Sequence, residues 1–267
     1  MKLTPNNYYS HEANVAYQSA TWFKKFMSCE AEAVAELNGT WVPDEDDTPL
    51  LVGNYVHSYF ESPESHKHFI EDHPQIFSSR GPTKGELKSQ YQVANKMIAA
   101  LDSQPLFHRY YTGEREAILT GAIDGIPWMG KLDCLPPNKR YFCDVKTTRD
   151  FATVWNEKDS QREHFIQNYR YFLQMAVYQE LVRQNYGSRA APIIFGVTKE
   201  KVPAKGYFRL DKYQDELDEQ LSTIKLIQPH VEAVKRGEIK PVRCEQCDYC
   251  KTTQTLLERD PFTMQEV

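Results

Sequence analysis

The feature that most constrains this chain is a pair of strand-like runs, Trp128 to Leu135 and Arg140 to Lys146, joined by the turn Pro-Pro-Asn-Lys at 136–139. Two such runs around a turn of this composition predict a β-hairpin. A register symmetric about the point between Asn138 and Lys139 places Asp133 opposite Asp144. Opposed residues on one face of a hairpin have Cβ atoms about 5 Å apart, where two carboxylates repel each other. We therefore expect a positive group between them.

Lys146 and a divalent metal ion are the candidates for that positive group. Positions i and i+2 of a strand share a face, so Asp144 and Lys146 point the same way while Val145 points to the opposite, buried side. Mg²⁺ prefers carboxylates, waters and phosphate oxygens, and a lysine beside it can orient a water. A surface salt bridge between the strands is the alternative, because the tripeptide Asp-x-Lys is common. By the same alternation, Cys134 and Cys143 point away from the acidic face into the core.

Length and composition indicate the size of the core and the location of the protein, but they say little about its partners. The chain has 267 residues, 40% of them hydrophobic, which is enough for one sizeable core. It contains no apolar run long enough to cross a bilayer, and its N-terminus does not have the pattern of a signal peptide, so we expect a soluble, cytoplasmic protein. The net charge of −5 gives no general argument for a nucleic-acid partner, although a local basic lining can dominate at one cleft.

The rest of the chain alternates between helical and strand patterns. Gly53 and His57 lie one turn apart on one helix, where the imidazole is either a metal ligand or a core histidine with a satisfied hydrogen bond. Residues 62–84 are expected to form a loop. The first predicted helix begins after a cap at Ser19 or Thr21 and ends at Leu37. The other predicted helices span 48–61, 84–101, 163–185 and 214–236, and the predicted strands span 114–121, 126–135, 140–146, 191–198 and 205–210. This order predicts an α/β fold, in which helices flank a mixed central sheet made of an antiparallel three-strand meander, a further central strand and an edge strand.

Four short motifs stand in the order of a known nuclease family. They are Gly53-Asn-Tyr-Val-His57, Gly130-Lys-Leu-Asp133, Asp144-Val-Lys146 and Gln174-Met-Ala-Val-Tyr178. With these motifs the chain resembles the PD-(D/E)XK nucleases, and within them the RecB-like branch. The Thr-Thr-Arg that follows the lysine and the cysteine-rich tail make it most similar to the RecE-type phage and prophage recombination exonucleases. The resemblance covers residues 19–257 and implies a PD-(D/E)XK nuclease core.

The resemblance implies roles for the residues of the central motifs. His57, Asp133 and Asp144 would be metal ligands, and the carbonyl of Val145 would be a further one. Lys146 would position the attacking water. The resemblance therefore favours the interpretation of His57 as a metal ligand over that as a core histidine.

Further residues have supporting roles in the same scheme. Gln174 and Tyr178 lie one helical turn apart, so they would act together on a phosphate or support the lysine. Glu116 on the first strand is an additional carboxylate candidate, although an exposed strand charge is the slightly favoured interpretation. Basic residues close to the motifs would line a groove that follows the DNA backbone, with a solvated surface charge as the alternative for each: Lys131 and Arg149, with Lys139, Arg140 and Arg162.

The activity implied by the resemblance is Mg²⁺-dependent hydrolysis of DNA, in which Mn²⁺ can substitute. RecE-type enzymes degrade one strand of linear double-stranded DNA from its 5′ end and leave a 3′ single strand for a phage annealing protein. They work as ring-shaped homo-oligomers in homologous recombination, and each of these properties becomes an expectation for this chain. Two alternatives stay open. One is a metal-dependent endonuclease, and the other is a non-catalytic DNA-binding or scaffold protein with a structural cysteine–metal cluster.

The tail contains a second candidate metal site, Cys244-Glu-Gln-Cys247-Asp-Tyr-Cys250. Three thiols at this spacing suit an iron–sulfur cluster with a fourth ligand from elsewhere, for which Cys29 is the candidate. Some RecB-like nucleases hold a [4Fe-4S] cluster with one cysteine before the nuclease core and three after it, which favours the cluster here. Zinc is the second candidate, and a reduced, unliganded tail is the alternative to both. A disulfide framework is not expected in an intracellular chain.

The sequence is consistent with a single nuclease domain in three segments. Residues 1–47 form an N-terminal helical segment, residues 48–200 the catalytic core, and residues 201–267 a C-terminal helix with the cysteine-rich tail. Length alone permits this arrangement, because a core of this size commonly belongs to one domain.

Overall fold

A computed structural model gives the fold and describes residues 1–44, 46–156 and 160–256. The predicted end of the family resemblance at Leu257, and the part of the tail that follows it, lie outside the described residues. The helices are α1 His11–Ala16, α2 Ala20–Ser28, α3 Glu30–Leu37, α4 Thr48–Glu61, α5 Pro63–Asp72, α6 Ser89–Asp102, α7 Pro105–Tyr110, α8 Phe165–Asn168, α9 Tyr171–Tyr186, α10 Gln214–Lys235 and α11 Asp248–Thr252. The strands are β1 Glu114–Ile123, β2 Ile126–Leu135, β3 Tyr141–Thr148, β4 Val154–Asn156, β5 Gln161–Glu163, β6 Ala191–Thr198 and β7 Lys205–Arg209.

The main sheet has five strands in the order β1-β2-β3-β6-β7, and a two-stranded sheet pairs β4 with β5. Asp124 and Gly125 both have positive φ, which suits the tight turn that joins β1 to β2. Strand β3 is antiparallel to β2 and parallel to β6, and the long α9 lies in the connection between the two parallel strands. The sheet is therefore mixed, with β6 central and β7 at the edge, as the sequence predicts. The α/β fold class is confirmed.

The chain divides into two compact units, the first made of Met1–Glu45, Thr120–Met129 and Leu221–Val267, and the second of Asp46–Leu119 and Gly130–Gln220. In the second unit, buried side chains of α4 and α6 form one core with the inner face of β3 and β6. Val145, Cys134 and Cys143 belong to this core, which confirms that they point away from the acidic face. Alternation along these strands thus leaves the other face for polar side chains.

The first unit has a core of its own around Trp128. The indole is fully buried, lies 5.4 Å from the ring of Phe23, and donates a 2.8 Å hydrogen bond to the Gln228 side chain. Gln228 donates in turn to the carbonyl of Ile123, so each buried polar atom of this chain of contacts has a partner. The main chain of Gln18 forms an isolated parallel β-bridge with Trp128.

Two predicted elements in the first hundred residues are wrong. The helix expected after a cap at Ser19 or Thr21 does begin after Ser19, but it is two helices and not one, because Cys29 adopts an extended conformation with φ −157° and ψ 110° between α2 and α3. The loop expected over 62–84 contains α5, which begins at Pro63 after the Ser62 hydroxyl accepts a hydrogen bond from the Ser65 amide.

Two further helices begin later than the sequence suggests. The helix expected from 84 begins at Ser89, and the helix expected from 163 is interrupted at Arg170, whose left-handed conformation ends α8 before α9 begins. Glu163 itself lies in β5. Isolated periodicity does not reveal a left-handed residue between two helical runs, because the apolar spacing continues through it.

None of the helices in the described part of the chain is both long and apolar enough to cross a membrane.

Candidate active site

The hairpin of β2 and β3 brings the two aspartates together in the second unit. Cys134 pairs with Cys143, and continuing this antiparallel register by one position places Asp133 opposite Asp144. Both aspartates are buried. The predicted register about the point between Asn138 and Lys139 is therefore confirmed, and the repulsion between the carboxylates has to be offset locally.

Lys146 provides one part of that offset. Its Nζ lies 2.6 Å from Oδ2 of Asp144, and the two side chains are 15% and 2% exposed, so this is a buried ion pair. A surface salt bridge is therefore excluded as the explanation of the Asp-x-Lys tripeptide. The ammonium also lies 4.9 Å from the centre of the Tyr171 ring, whose π-face attracts a cation.

His57 and the main chain of Val145 offset the charge of Asp133. The Nδ1 atom of His57, on α4, lies 3.1 Å from Oδ2 of Asp133, and the Val145 amide donates a 2.7 Å hydrogen bond to the same oxygen. The imidazole is therefore held within the acidic cluster by a helix that packs on the sheet. The predicted role of the Val145 carbonyl stays a prediction.

Glu116 lies at the same site, where the sequence slightly favours an exposed strand charge. That interpretation is wrong, because the side chain is only 16% exposed and forms an ion pair with Lys131. Glu116 has a φ of 50°, a left-handed conformation that costs free energy for a residue with a Cβ and that tends to occur at functional sites. Ligand atoms of His57, Glu116 and Asp133 all lie within 4.8 Å of one another.

Helix α9 supplies the polar side chains on the other side of Asp144. The amide nitrogen of Gln174 lies 3.4 Å from Oδ1 of Asp144 and donates a 3.1 Å hydrogen bond to the Tyr178 hydroxyl. Tyr171 is not among the residues predicted for the site, although it precedes Gln174 by three positions and so lies on the same helix face. That spacing is the signal that could have identified it.

The glycine of the Gly-x-x-Asp motif has a packing role. A Cβ at Gly130 would lie 2.9 Å from two ring carbons of Tyr178 and 3.0 Å from a methyl of Leu181. Distances this short do not occur at real Cβ atoms, so only glycine lets α9 approach β2 here. Gly53 is less restricted, because a Cβ there would meet Thr147 Oγ1 at 3.5 Å, an ordinary contact.

The two central aspartates have opposite electrostatic tendencies. Burial opposes ionisation of Asp133, but the His57 imidazole and the Lys146 ammonium hold the pKa of its carboxyl below the usual value. Burial dominates at Asp144 and raises its pKa to about 6, with Lys146 opposing that shift. Burial and the charge of Asp133 likewise raise the pKa of Glu116. Two adjacent carboxyl groups with separated pKa values are common in hydrolytic active sites.

The acidic cluster, comprising His57, Glu116, Asp133, Asp144 and Lys146, fits a divalent cation. The buried Oδ2 of Asp144 is paired with the Lys146 ammonium at 2.6 Å and accepts no further hydrogen bond from the described residues. A carboxylate oxygen can contact more than one partner, and Mg²⁺ or Mn²⁺ prefers carboxylate oxygens. Asp144 is not part of the group of His57, Glu116 and Asp133 that satisfies the mutual 4.8 Å limit.

The predicted DNA-contacting residues lie in different environments. Lys131 is 22% exposed and pairs with Glu116 inside the site, whereas Arg149 is 77% exposed and pairs with Asp150 at 2.7 Å. Arg140 and Arg162 are exposed, and Lys139 lies 3.8 Å from Glu114. The role of each in DNA binding stays a prediction.

The four cysteines selected from the sequence meet in the first unit. The sulfur atoms of Cys29, Cys244, Cys247 and Cys250 all lie within 4.8 Å of one another, and Cys29 and Cys250 are buried. Burial opposes ionisation of Cys244, but hydrogen bonds from the backbone amides of Gln246 and Cys247 lower the pKa of its thiol to about 7. Cys244 is thereby shifted towards the thiolate, the form that binds metal ions, whereas burial raises the pKa of the Cys29 and Cys247 thiols.

Residues 19–253 match the family model described as a PDDEXK-like domain of unknown function (DUF3799). The chain belongs to this PDDEXK-like family. Members of the PDDEXK-like class use divalent metals, in agreement with the donor set of the acidic cluster.

Comparison with solved structures identifies a crystal structure named "Putative exonuclease" from Eubacterium rectale, with a TM-score of 0.89 and 35% sequence identity. The match covers 98% of this chain and 97% of that one. The structure of SSO0001 aligns at a TM-score of 0.32 with 15% identity, covering 78% of this chain and 95% of that one, and is too distant to support an argument. No curated protein matches the sequence. The family and the first neighbour support a nuclease.

Proposed function

We propose that this chain is a Mg²⁺-dependent exonuclease that degrades one strand of linear double-stranded DNA in the 5′ to 3′ direction. The observation that carries the proposal is the buried pair of opposed aspartates, in which Asp144 is paired with Lys146 at 2.6 Å and Asp133 contacts His57. Buried carboxylates in this arrangement, with Glu116 nearby, are suited to a cation that also binds phosphate. The neighbour named as an exonuclease supports action at DNA ends.

The metal, when bound, activates a water and stabilises negative charge on the phosphate. Asp133 would hold it together with His57 and Glu116, whose ligand atoms lie within 4.8 Å of one another, and Asp144, opposite Asp133, would complete the set. Lys146 keeps its proton, because the two aspartates and the Tyr171 ring raise its pKa against the effect of burial. A charged lysine can orient a water by hydrogen bonding and offset charge on the phosphate, but it cannot act as a base at neutral pH.

Helix α9 gives the site a second positioning element. Gln174 contacts both Asp144 and the Tyr178 hydroxyl, so a movement of either partner changes its hydrogen bonds. We propose that this amide orients Asp144 and then contacts a phosphate oxygen of the bound strand. Tyr178 fixes the rotamer of the amide, because its own ring is packed against Gly130.

The DNA is held without reading its sequence. Arg149 follows β3 and is exposed, so it can reach the phosphate backbone as the strand leaves the site. Lys131 lies closer to the acidic cluster and would contact the phosphate next to the cleaved bond after releasing Glu116. Contacts to phosphates position DNA and carry no base information directly.

The biological role we propose is phage-type homologous recombination. The product would be a 3′ single strand on which an annealing protein acts, and a ring-shaped homo-oligomer around the duplex would keep the enzyme on one strand. Both features rest on the resemblance to RecE-type enzymes carried by the motifs from Gly53 to Tyr178. The cytoplasm is the compartment that suits this role.

The decisive experiment is digestion of linear duplex DNA labelled at either the 5′ or the 3′ end, with a closed circular duplex in parallel. We expect Mg²⁺, and also Mn²⁺, to support early release of the 5′ label, late release of the 3′ label and no change in the circle. Asp144→Asn keeps the volume of the side chain and removes the charge, so it should show no digestion. Lys67→Ala, at an exposed position of α5, is the matched active control.

Each other outcome contradicts a defined part of the proposal. Cleavage of the closed circle would indicate an endonuclease, because no end is needed there. Early release of the 3′ label would reverse the direction. DNA binding without cleavage in either metal would favour the non-catalytic scaffold.

A further inference from the structure

The cysteine cluster, comprising Cys29, Cys244, Cys247 and Cys250, lies outside the acidic cluster and has no part in the proposed hydrolysis. We propose that it binds a single zinc ion as a closed structural site, and that it does not hold the iron–sulfur cluster that the resemblance implies. The proposal depends on the distances between the thiols and not on nuclease activity.

The sulfur atoms have the separation that one tetrahedral ion requires. A zinc–sulfur bond of about 2.3 Å in tetrahedral geometry places any two of the four sulfurs about 3.8 Å apart. The Sγ atoms of Cys29 and Cys250 are 3.6 Å apart, and those of Cys244 and Cys250 are 3.9 Å apart. All four fall within 4.8 Å of one another, so a single centre can contact every thiol.

An iron–sulfur cluster needs a wider arrangement. In a four-iron cluster each thiolate binds a different iron, so the thiolates lie farther apart than the four ligands of a single ion. Every pair of sulfurs in this chain lies within 4.8 Å, which suits a single ion. The four thiols therefore do not fit the cluster.

The main chain fixes the positions of the cysteines from both sides. Val242 donates its amide to a Glu30 carboxylate oxygen at 2.8 Å and accepts a 3.0 Å hydrogen bond from the Ala31 amide, which clamps the segment before Cys244 to the segment after Cys29. The helix is interrupted at Cys29 although the surrounding run is rich in alanine and glutamate, which favour helix. That interruption gives the thiol its place in the cluster, since it makes no cap hydrogen bond to α3.

The surroundings of the thiols suit a bound cation. The amides of Gln246 and Cys247 donate to Sγ of Cys244 at 3.4 and 3.3 Å, and the Cys250 amide donates to Sγ of Cys247 at 3.5 Å. Hydrogen bonds of this kind orient metal ligands and disperse the negative charge of the thiolates. The Arg243 side chain donates a 2.6 Å hydrogen bond to the carbonyl of Cys250, which holds the last ligand in place.

The test is the metal content of the full chain, expressed and purified without oxygen from medium that contains both iron and zinc. We expect about one zinc per chain, no acid-labile sulfide and no visible iron–sulfur absorption. Cys247→Ser should lower the zinc content at least tenfold. Cys143→Ala, which removes a buried thiol of the other unit, should retain it and is the matched control.

A spectroscopic measurement covers the case in which the cysteine variant does not fold. Wild-type protein stripped of metal is titrated with Co²⁺ in the presence of reductant, and we expect the intense visible bands of a tetrahedral tetrathiolate site, saturating at one ion per chain and removed by one equivalent of zinc. Iron with sulfide, a single iron, a disulfide within the cluster, or no stoichiometric binding of zinc or cobalt would each overturn the proposal.

Discussion

The acidic cluster and the cysteine cluster each bring several side chains of one chemical type close together. They differ in the partners that the protein provides for those side chains. In the acidic cluster, the protein supplies positive partners of its own: Lys146 contacts Asp144, His57 contacts Asp133, and Lys131 contacts Glu116. In the cysteine cluster the thiols contact one another and backbone amides. The first arrangement can persist with its metal absent, whereas the second brings together four thiols that must lose their protons to bind a metal and have mainly dipoles around them.

This difference indicates two uses of metal within one chain. A metal that joins a preformed set of ion pairs can exchange during turnover, because the residues remain in place. A metal that replaces repulsion between thiolates contributes directly to the free energy of folding. We therefore expect the acidic cluster to determine cleavage and the cysteine cluster to determine stability.

The largest expected effect is on cleavage when Lys146 is changed to alanine. Removal of one group that positions and stabilises reacting atoms commonly lowers a rate by about 10²–10³. We expect digestion of linear DNA to fall by at least this factor, and Asp133→Ala to do the same. The fold should survive, because a buried carboxyl that loses its lysine can take up a proton instead of remaining charged.

Single-turnover digestion with saturating enzyme measures this loss separately from DNA binding. Circular dichroism gives the thermal midpoint of the same samples, and Lys67→Ala controls for the loss of one positive charge at an exposed position. Substantial Mg²⁺-dependent cleavage by Lys146→Ala would remove this lysine from the mechanism.

The second effect is on stability when the cysteine cluster loses its metal. A structural zinc contributes to folding outright, so its removal should cost on the order of 3 kcal/mol or more. For a chain of this size that cost lowers the thermal midpoint by roughly 10 °C. The measurement is a melting curve with a strong zinc chelator, compared with removal of Mg²⁺ alone.

Removal of Mg²⁺ and removal of zinc should affect different properties of the protein. Loss of Mg²⁺ should stop digestion and leave the midpoint almost unchanged, while loss of zinc should lower the midpoint. Equal midpoint shifts from both treatments would contradict the distinction between the two clusters.

The third effect concerns the packing that places α9 behind the acidic cluster. Gly130→Ala puts a Cβ 2.9 Å from the Tyr178 ring, and the ring is buried, so overpacking should destabilise the protein by about 1–3 kcal/mol. Gly53→Ala is the matched control. Its Cβ meets only an ordinary contact at 3.5 Å, and alanine favours a helix over glycine by about 1 kcal/mol.

Denaturant unfolding of both variants gives the measurement. A Gly130→Ala protein as stable as the wild type would mean that Tyr178 can move freely, and that the close approach of α9 is not needed for folding.

Much of the site could be predicted because a hairpin has few degrees of freedom. A register symmetric about the point between Asn138 and Lys139 placed Asp133 opposite Asp144, and the two-residue period assigned Cys134, Cys143 and Val145 to the core. Both inferences depend on covalent geometry and alternation, which a single sequence contains.

The elements that were predicted wrongly each depend on the backbone conformation of one residue. The break at Cys29 and the left-handed Arg170 each interrupt a run whose side chains favour a continuous helix. Glu116 is a related case, since its left-handed φ within β1 departs from the regular alternation on which sequence reasoning depends. Tertiary contacts decide such conformations, and local propensity does not contain them.

The smallest effect we predict is a pH dependence of Mg²⁺ binding to the acidic cluster, where protons compete with the cation. The pKa of Asp144 is raised to about 6 by burial, so below that pH a proton competes with the cation for this carboxylate. For metal-free protein the sign is opposite: the raised pKa stabilises the fold at low pH, and this contribution is lost as the pH rises through about 6. Because of this competition at Asp144, Mg²⁺ affinity should fall about tenfold for each pH unit below 6, or 1.4 kcal/mol per unit.

The imidazole of His57, whose pKa is raised by Asp133 against the effect of burial, adds a second competing proton, so His57→Gln should make the dependence less steep. Isothermal titration with Mg²⁺ between about pH 5 and 8 measures both slopes. An affinity that is constant over this range would show that Asp144 stays ionised, and that the ion pair with Lys146, rather than burial, controls its charge.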